Sequence, residues 1–349
     1  MTELLSDHTT FRVGGPVGRW VEGNSAAEIV EAVKQVDAAG DDLLVLSGGS
    51  NILASDEGFA GTVVHVASKG IEISESFCDI DLAACGGVLV TVEAGERWDD
   101  LVAFAVENEL VGIEALSGIP GAVGSTPIQN VGAYGQEISQ TLWSVRTWDR
   151  KTGWYQTFAN SDCKFGYRWS RFKAEPGRYV VLQVMFQFLQ GDLSERLRYG
   201  ELARRLGVEA GQRAPMTDVR ETVLGLRRSK GMVLNPDDHD TWSAGSFFTN
   251  PLLTPEDADR LPEGAPRFAQ PDGRVKSSAA WLIEHAGFGK GYGTPPATLS
   301  TKHTLALTNR GGAKASDLVA LARTVRDGVR DAFGVTLVPE PVLLGVSLD

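Results

Sequence analysis

Cysteine is scarce in this 349-residue chain: Cys78, Cys85 and Cys163 are odd in number and show no metal-ligand spacing. That argues against a disulfide framework and leaves three reduced, mostly buried thiols as the simplest expectation. Histidine is almost as sparse. His8, His65, His239, His285 and His303 are too scattered for a zinc site, so no metal is expected. Positive charge is short as well, with 33 Lys and Arg against 45 Asp and Glu and a formal charge of −12. The longest basic run is Arg227-Arg228 with Lys230 nearby, which disfavours a nucleic-acid face. No apolar stretch is long enough to cross a bilayer. The start, Met1-Thr2-Glu3-Leu4-Leu5-Ser6-Asp7, carries acid where a signal peptide needs positive charge and an apolar run. A cytoplasmic protein is therefore expected. Internal repeats and low-complexity tracts are lacking too, as are a Walker loop and a G-x-G-x-x-G between strand and helix.

What is present is an ordinary globular composition, 42% hydrophobic and 22% charged, on a chain long enough for two or three domains. Ser25-Ala26-Ala27-Glu28 is a capping box opening a helix with Ile29, Val33 and Val36 on one face, ended by Gly40. Leu43–Leu46, Val63–Val66 and Val88–Val92 read as strands, followed by a helix from Trp98 to about Asn108. Strands are expected again at Trp143–Trp148 and Tyr179–Leu189, and a domain boundary near the polar stretch Gly207 to Arg213. Thr217 is placed as the cap of a helix with Val219, Val223 and Leu226 on one side, stopped by Gly231. Further helices are expected over Ser278–Ala286 and from Ser316 to Gly334, then a strand over Val342–Val346. The class is mixed α and β.

Two glycine-rich segments stand out. Ser47-Gly48-Gly49-Ser50-Asn51 follows an apolar strand; its glycines admit an anion close to the backbone, and its hydroxyls and amide add donors for phosphate oxygens. A plain turn is the bland alternative. The longer segment, Gly112 to Gly135, is too irregular for regular structure yet apolar. Its span from Leu116 to Gly135 has almost no charge, and such backbone suits a flat ligand with a polar edge; a buried crossover is the alternative.

Gly-Gly-Ser-Asn, then Ile-Pro-Gly-Ala-Val-Gly at 119–124 and Gln-Asn-Val-Gly-Ala-Tyr-Gly at 129–135, resemble the MurB family, the UDP-N-acetylenolpyruvoylglucosamine reductases. The likeness runs nearly end to end, from Thr10-Phe11-Arg12-Val13-Gly14-Gly15 to Pro339-Glu340, and the motifs are specific in combination. It implies an α+β chain with a two-part FAD-binding region of the vanillyl-alcohol-oxidase type (residues 1–67 and 68–213). A separate α/β substrate domain (214–335) and a C-terminal strand carrying Glu340 (336–349), returning to the FAD region, complete it. Non-covalent FAD would be held by Ser47, Gly48, Gly49, Ser50 and Asn51 in the first motif. In the second it would be held by Ser117, Gly118, Ile119, Pro120, Gly121, Gly124, Ser125, Gln129, Asn130, Gly132, Ala133 and Tyr134.

The resemblance further implies a monomer that uses NADPH to reduce the enolpyruvyl ether of UDP-N-acetylglucosamine, with hydride passing from flavin N5 to the terminal CH2. The catalytic roles carry to Arg168, Ser246 and Glu340: positive charge or donors against an enolate, and a serine proton for the α carbon. Substrate contacts carry to Tyr167, Tyr199, Lys230, Asn250 and His303, with Tyr199 in the loop Leu197–Leu202 that marks one subclass. As bare residues each has a plainer role. Arg168 could be a surface guanidinium stacked on Tyr167 or Trp169, Ser246 a turn or cap serine, and Glu340 a strand-edge carboxylate. Tyr199 could be core and Lys230 the complement of a helix end. Asp237-Asp238-His239-Asp240 reads as a solvated acidic loop rather than a metal site. Thr9, Trp169 and Pro341 depart from the family pattern and bear on fine geometry. Rival functions are another FAD-dependent oxidoreductase and a non-catalytic flavin or sugar-nucleotide binding regulator.

Overall fold

The computed structural model describes residues 2–74 and 87–349; Cys78 and Cys85 lie outside them. The chain divides into two compact units interleaved in sequence: Gly18–Gly48 with Ala60–Arg228, and Met1–Val17 with Gly49–Phe59 and Ser229–Asp349. These crossings differ from the sequence-based cuts at 67, 213 and 335. The short N-terminal segments sort by their partners: Gly15 donates to the Ser55 carbonyl, and Ile52–Ala54 pairs in parallel with the strand Val342–Leu344.

The first unit holds, among the described residues, a six-stranded antiparallel sheet. Its order is Trp154–Ala159, Leu142–Asp149, Tyr179–Gln190, Gly87–Glu93 and Ile71–Ser74, with Leu110–Val111 on the far end of the long central strand. Its core joins Val90, Val92, Val184 and Phe186 from the sheet to Trp98 and Leu101 from the helix Trp98–Glu107. Ile29 and Val33 of the helix Ala26–Ala39 belong to the same core. Ser25 caps that helix at the Glu28 amide as expected, but Glu28 reaches back to Asn24 rather than Ser25. The expected Thr217 cap is corrected: the helix runs Met216–Ser229, so Thr217 already lies inside its first turn.

The second unit is built around the helix Ala315–Phe333, whose Leu318, Ala322, Val325 and Val329 pack with Leu282, Ile283, Phe247, Leu299 and Leu307. The carboxylate of Asp56 receives the Ala315 and Ser316 amides and so caps the helix from far along the chain. Gly345, at φ 67°, ends the last strand at Leu344, earlier than the expected Val346. No described helix is long and apolar enough to cross a membrane.

Candidate functional site

The glycine-rich stretch of the first unit is more regular than its composition suggests. It forms 3-10 turns at Glu114–Leu116 and Val123–Gln129 and a two-residue hairpin, Gly132–Ala133 against Gln136–Glu137. Asn130 ends the second turn in the left-handed region, φ 48°, which asparagine tolerates. Its buried amide donates to Glu137 and to the Gly166 carbonyl. A Cβ on Gly48 would come within 2.6 Å of the Gly121 Cα, so the two glycine motifs lie backbone against backbone there. A Cβ on Gly124 would meet Ala94 at 2.5 Å. Glycine is thus required at both positions by close packing within the unit, and the Ser125 hydroxyl donates to the Ala122 carbonyl at 2.7 Å. Two expected ligands face inward instead: the Ser117 hydroxyl is fully buried on the Glu114 carbonyl, and the Gly118 amide is taken by Asp99 at 2.6 Å.

Asp99 is itself gripped by Arg220 at 2.7 and 3.0 Å. Burial pushes its carboxyl up, yet the Arg220 and Gly118 bonds outweigh this and hold it below the ordinary carboxylate range. Arg168 occupies a four-residue turn in which Gly166 and Trp169 exchange both backbone bonds, at 3.0 and 3.2 Å. Arg168 takes the left-handed conformation there, φ 52°, which costs an arginine about 1–2 kcal/mol and is common where function fixes a side chain. Its guanidinium donates to the Gly132 carbonyl at 2.9 Å and lies 5.6 Å from the Tyr167 ring. The plainer expectation of stacking on Tyr167 is met, and the arginine is also tied to the glycine-rich hairpin. Tyr199 is 38% exposed, so it is not core, and its ring meets Tyr134 edge-on at 5.3 Å.

In the second unit, Ser246 is half-buried before the fully buried Phe247 and Phe248. Phe248 pairs with Pro339: Glu340 donates to the Phe247 carbonyl at 2.8 Å and Thr249 to the Val338 carbonyl at 3.0 Å. In that register the missing N–H of Pro339 is not called on, which is why a proline is tolerated. The bridge sets Ser246 and Glu340 on adjoining segments. The Asn51 amide donates to the Glu340 carbonyl at 3.4 Å and Val342 donates to the Asn51 carbonyl, so the end of the first glycine motif joins them. Gly49 there has no room for a Cβ, which would lie 1.8 Å from the His8 carbonyl oxygen. Thr10 donates through its backbone to the Gly49 carbonyl and through its hydroxyl to the Ser243 carbonyl at 2.6 Å.

His303 accepts the Leu305 amide at Nδ1, and the Leu305 carbonyl accepts the Phe247 amide beside Ser246. Burial, then Lys230 and Lys290, lower its pKa to about 4, so the ring is neutral at pH 7. Because Nδ1 is an acceptor, its proton sits on Nε2. Asn250 is partly committed elsewhere, its side-chain oxygen accepting the Ala279 amide at 2.9 Å. The acidic loop is not simply solvated, which corrects that expectation. Asp240 is buried on Arg310 and Thr301, and Asp238 pairs with Lys302.

The geometry also holds residues the motifs did not mark. The buried Glu114 is a single charge in an apolar stretch, whereas Asp99 adjoins Asp100 and Arg220 adjoins Glu221, so no local pattern sets those two apart. Two family descriptions match the chain: an FAD binding domain over residues 19–158, and the C-terminal domain of UDP-N-acetylenolpyruvoylglucosamine reductase over 236–344. The UDP-N-acetylenolpyruvoylglucosamine reductase of Cutibacterium acnes is 58% identical, over 99% of this chain and 90% of that protein. The one from Mycobacterium tuberculosis is 49% identical, over 99% and 95%. The crystal structure of UDP-N-acetylenolpyruvylglucosamine reductase from Thermus caldophilus superposes with a TM-score of 0.65 at 25% identity, covering 99% of this chain and 98% of that one.

Proposed function

The chain belongs to the UDP-N-acetylenolpyruvoylglucosamine reductases, FAD-dependent oxidoreductases of peptidoglycan synthesis, and we propose that it reduces UDP-N-acetylglucosamine enolpyruvate to UDP-N-acetylmuramate with electrons from NADPH. The observation that supports this reading is the Phe248–Pro339 bridge, which ties the segment of Ser246 to the segment of Glu340 at the end of a glycine motif.

Bound FAD would supply hydride chemistry toward the terminal carbon of the enolpyruvyl group. Negative charge would then collect on the substrate carboxylate, where the Arg168 guanidinium and Glu340 are proposed to stabilise it. Ser246 gives its proton to the α carbon. A hydroxyl is a weak acid, but the enolate of a carboxylate is a strong enough base to take it. No covalent intermediate on the protein is needed. Lys230, Asn250 and Tyr199 bind the diphosphate of the nucleotide, with Tyr167 beside the pyruvyl group. His303, neutral with its proton on Nε2, adds one donor without a second charge. In this reading residues 1–67 and 68–213 serve the flavin, 214–335 the sugar nucleotide, and 336–349 bring Glu340 back; the protein acts as a cytoplasmic monomer.

The test is turnover. Purified protein supplied with FAD, NADPH and the enolpyruvyl sugar nucleotide should yield a product heavier by two hydrogens, detected by mass spectrometry. NADPH oxidation without that product would remove the substrate assignment.

A further inference from the structure

Glu114 has no part in the chemistry above, yet it is 1% exposed and accepts three hydrogen bonds from three separate stretches of chain. Its Oε2 takes the Gly112 amide at 2.7 Å. Its Oε1 takes both the Gln136 side-chain amide and the Glu195 backbone amide, each at 2.8 Å. Gln136, also buried, answers by accepting the Ala115 amide at 2.8 Å. A carboxylate withdrawn from water is tolerated only when donors replace the lost hydration, and these three do so.

The placement of those stretches matters. Leu116 and Gly135, the ends of the glycine-rich flavin loop, adjoin Ala115 and Gln136 and are thus clasped together at this carboxylate. Glu195 begins the segment that leads to Tyr199. Apolar packing follows the same path: Ala115 shares a cluster with Leu197, Leu202 and Val223, and Tyr134 is packed against it. A Cβ on Gly135 would sit 3.3 Å from the Cβ of Arg198, so loop and segment run close.

Resting on the function proposed above, we infer that Glu114 is a positioning residue that fixes the root of the Tyr199 segment against the flavin loop, and that the Glu195 amide is the link that presents Tyr199 to the nucleotide diphosphate. A glutamate carboxylate offers two acceptor oxygens to the three converging donors. A glutamine has one acceptor oxygen and must turn its NH2 toward one of them.

That asymmetry supplies the test. In Glu114→Gln the NH2 turns to Gly112, leaving Gln136 and Glu195 bonded to the remaining oxygen. In Glu114→Gln/Gln136→Glu the new carboxylate repels that oxygen and draws the NH2 to itself. The clasp between 114, 136 and Ala115 then survives, but the Glu195 amide loses its acceptor. Hydrogen exchange across residues 194–199, the Kd for FAD, and KM and kcat for the sugar nucleotide are measured on all three holoproteins. The double variant should exchange about tenfold faster over 194–199 and show KM raised about tenfold, with kcat and the FAD Kd within about threefold of wild type. The single variant should leave both 194–199 exchange and KM near wild type. Equal KM in the two variants, or wild-type exchange over 194–199 in the double variant, would overturn the inference. Wild-type turnover reads the functional assignment by itself, whereas exchange over 194–199 reads the Glu195 link even if the substrate is another.

Discussion

The turn that carries Arg168 is closed by its own ends, Gly166 and Trp169, and stores strain in a left-handed arginine; the turn that carries Ser246 puts its left-handed position on Gly245, φ 70°, and borrows its closure from Leu305, Val338 and Glu340. One holds its side chain by local geometry, the other by pairings that need the rest of its unit folded first. The contrast separates two ways of fixing a reactive group. A local turn tolerates change elsewhere in the chain, while a borrowed turn depends on backbone bonds to Leu305, Val338 and Glu340.

The largest effect should come from the borrowed turn. Ser246→Ala is expected to lower product formation by about 10²–10⁴-fold while flavin reduction by NADPH stays near wild type, as read by anaerobic stopped-flow absorbance. Full product formation would remove Ser246 as the proton donor. Arg168→Met should slow the step with the sugar nucleotide by roughly 10²–10³-fold, again sparing the NADPH step. Equal slowing of both steps would make its role general rather than tied to the enolate.

A pH experiment separates the turns further. His303 takes up a proton near pH 6.5 in the unfolded chain but only near about 4 when folded. Its contribution to stability is therefore whole above pH 6.5 and falls as the pH drops toward 4. By pH 5 the wild type should have lost about 2 kcal/mol that His303→Gln does not lose, measured by urea unfolding at pH 7 and pH 5. Parallel losses in the two proteins would place the ring in a wetter setting than the fold gives it. The smallest effect concerns backbone alone: Arg168→Gly should be more stable than Arg168→Ala by about 1 kcal/mol, since only glycine relaxes the left-handed position. Equal melting temperatures would mean that the turn carries no strain.

These two turns also mark what could be read in the chain and what could not. The helices Ala26–Ala39 and Ala315–Phe333 follow from the spacing of Ile29, Val33, Leu318 and Val325, because an apolar face repeats locally. The glycine motifs point to a flavin through their family resemblance, while their composition alone leaves a plain turn or a buried crossover open. The approach of Gly48 to Gly121, however, depends on how a strand end meets a distant loop. The Phe248–Pro339 bridge has no local signature, since Pro339 reads as a break until its partner segment is known. Asp240 misled for the same reason. Three nearby acids look solvated until Arg310 and Thr301 arrive from the far end of the unit.

The most direct test of the central claim follows the flavin itself. Holoprotein is titrated anaerobically with NADPH and then with the enolpyruvyl ether of UDP-N-acetylglucosamine, and the flavin absorbance is recorded. The account predicts bleaching by the first and full recovery on the second. A flavin that bleaches and is not reoxidised by the sugar nucleotide would contradict it.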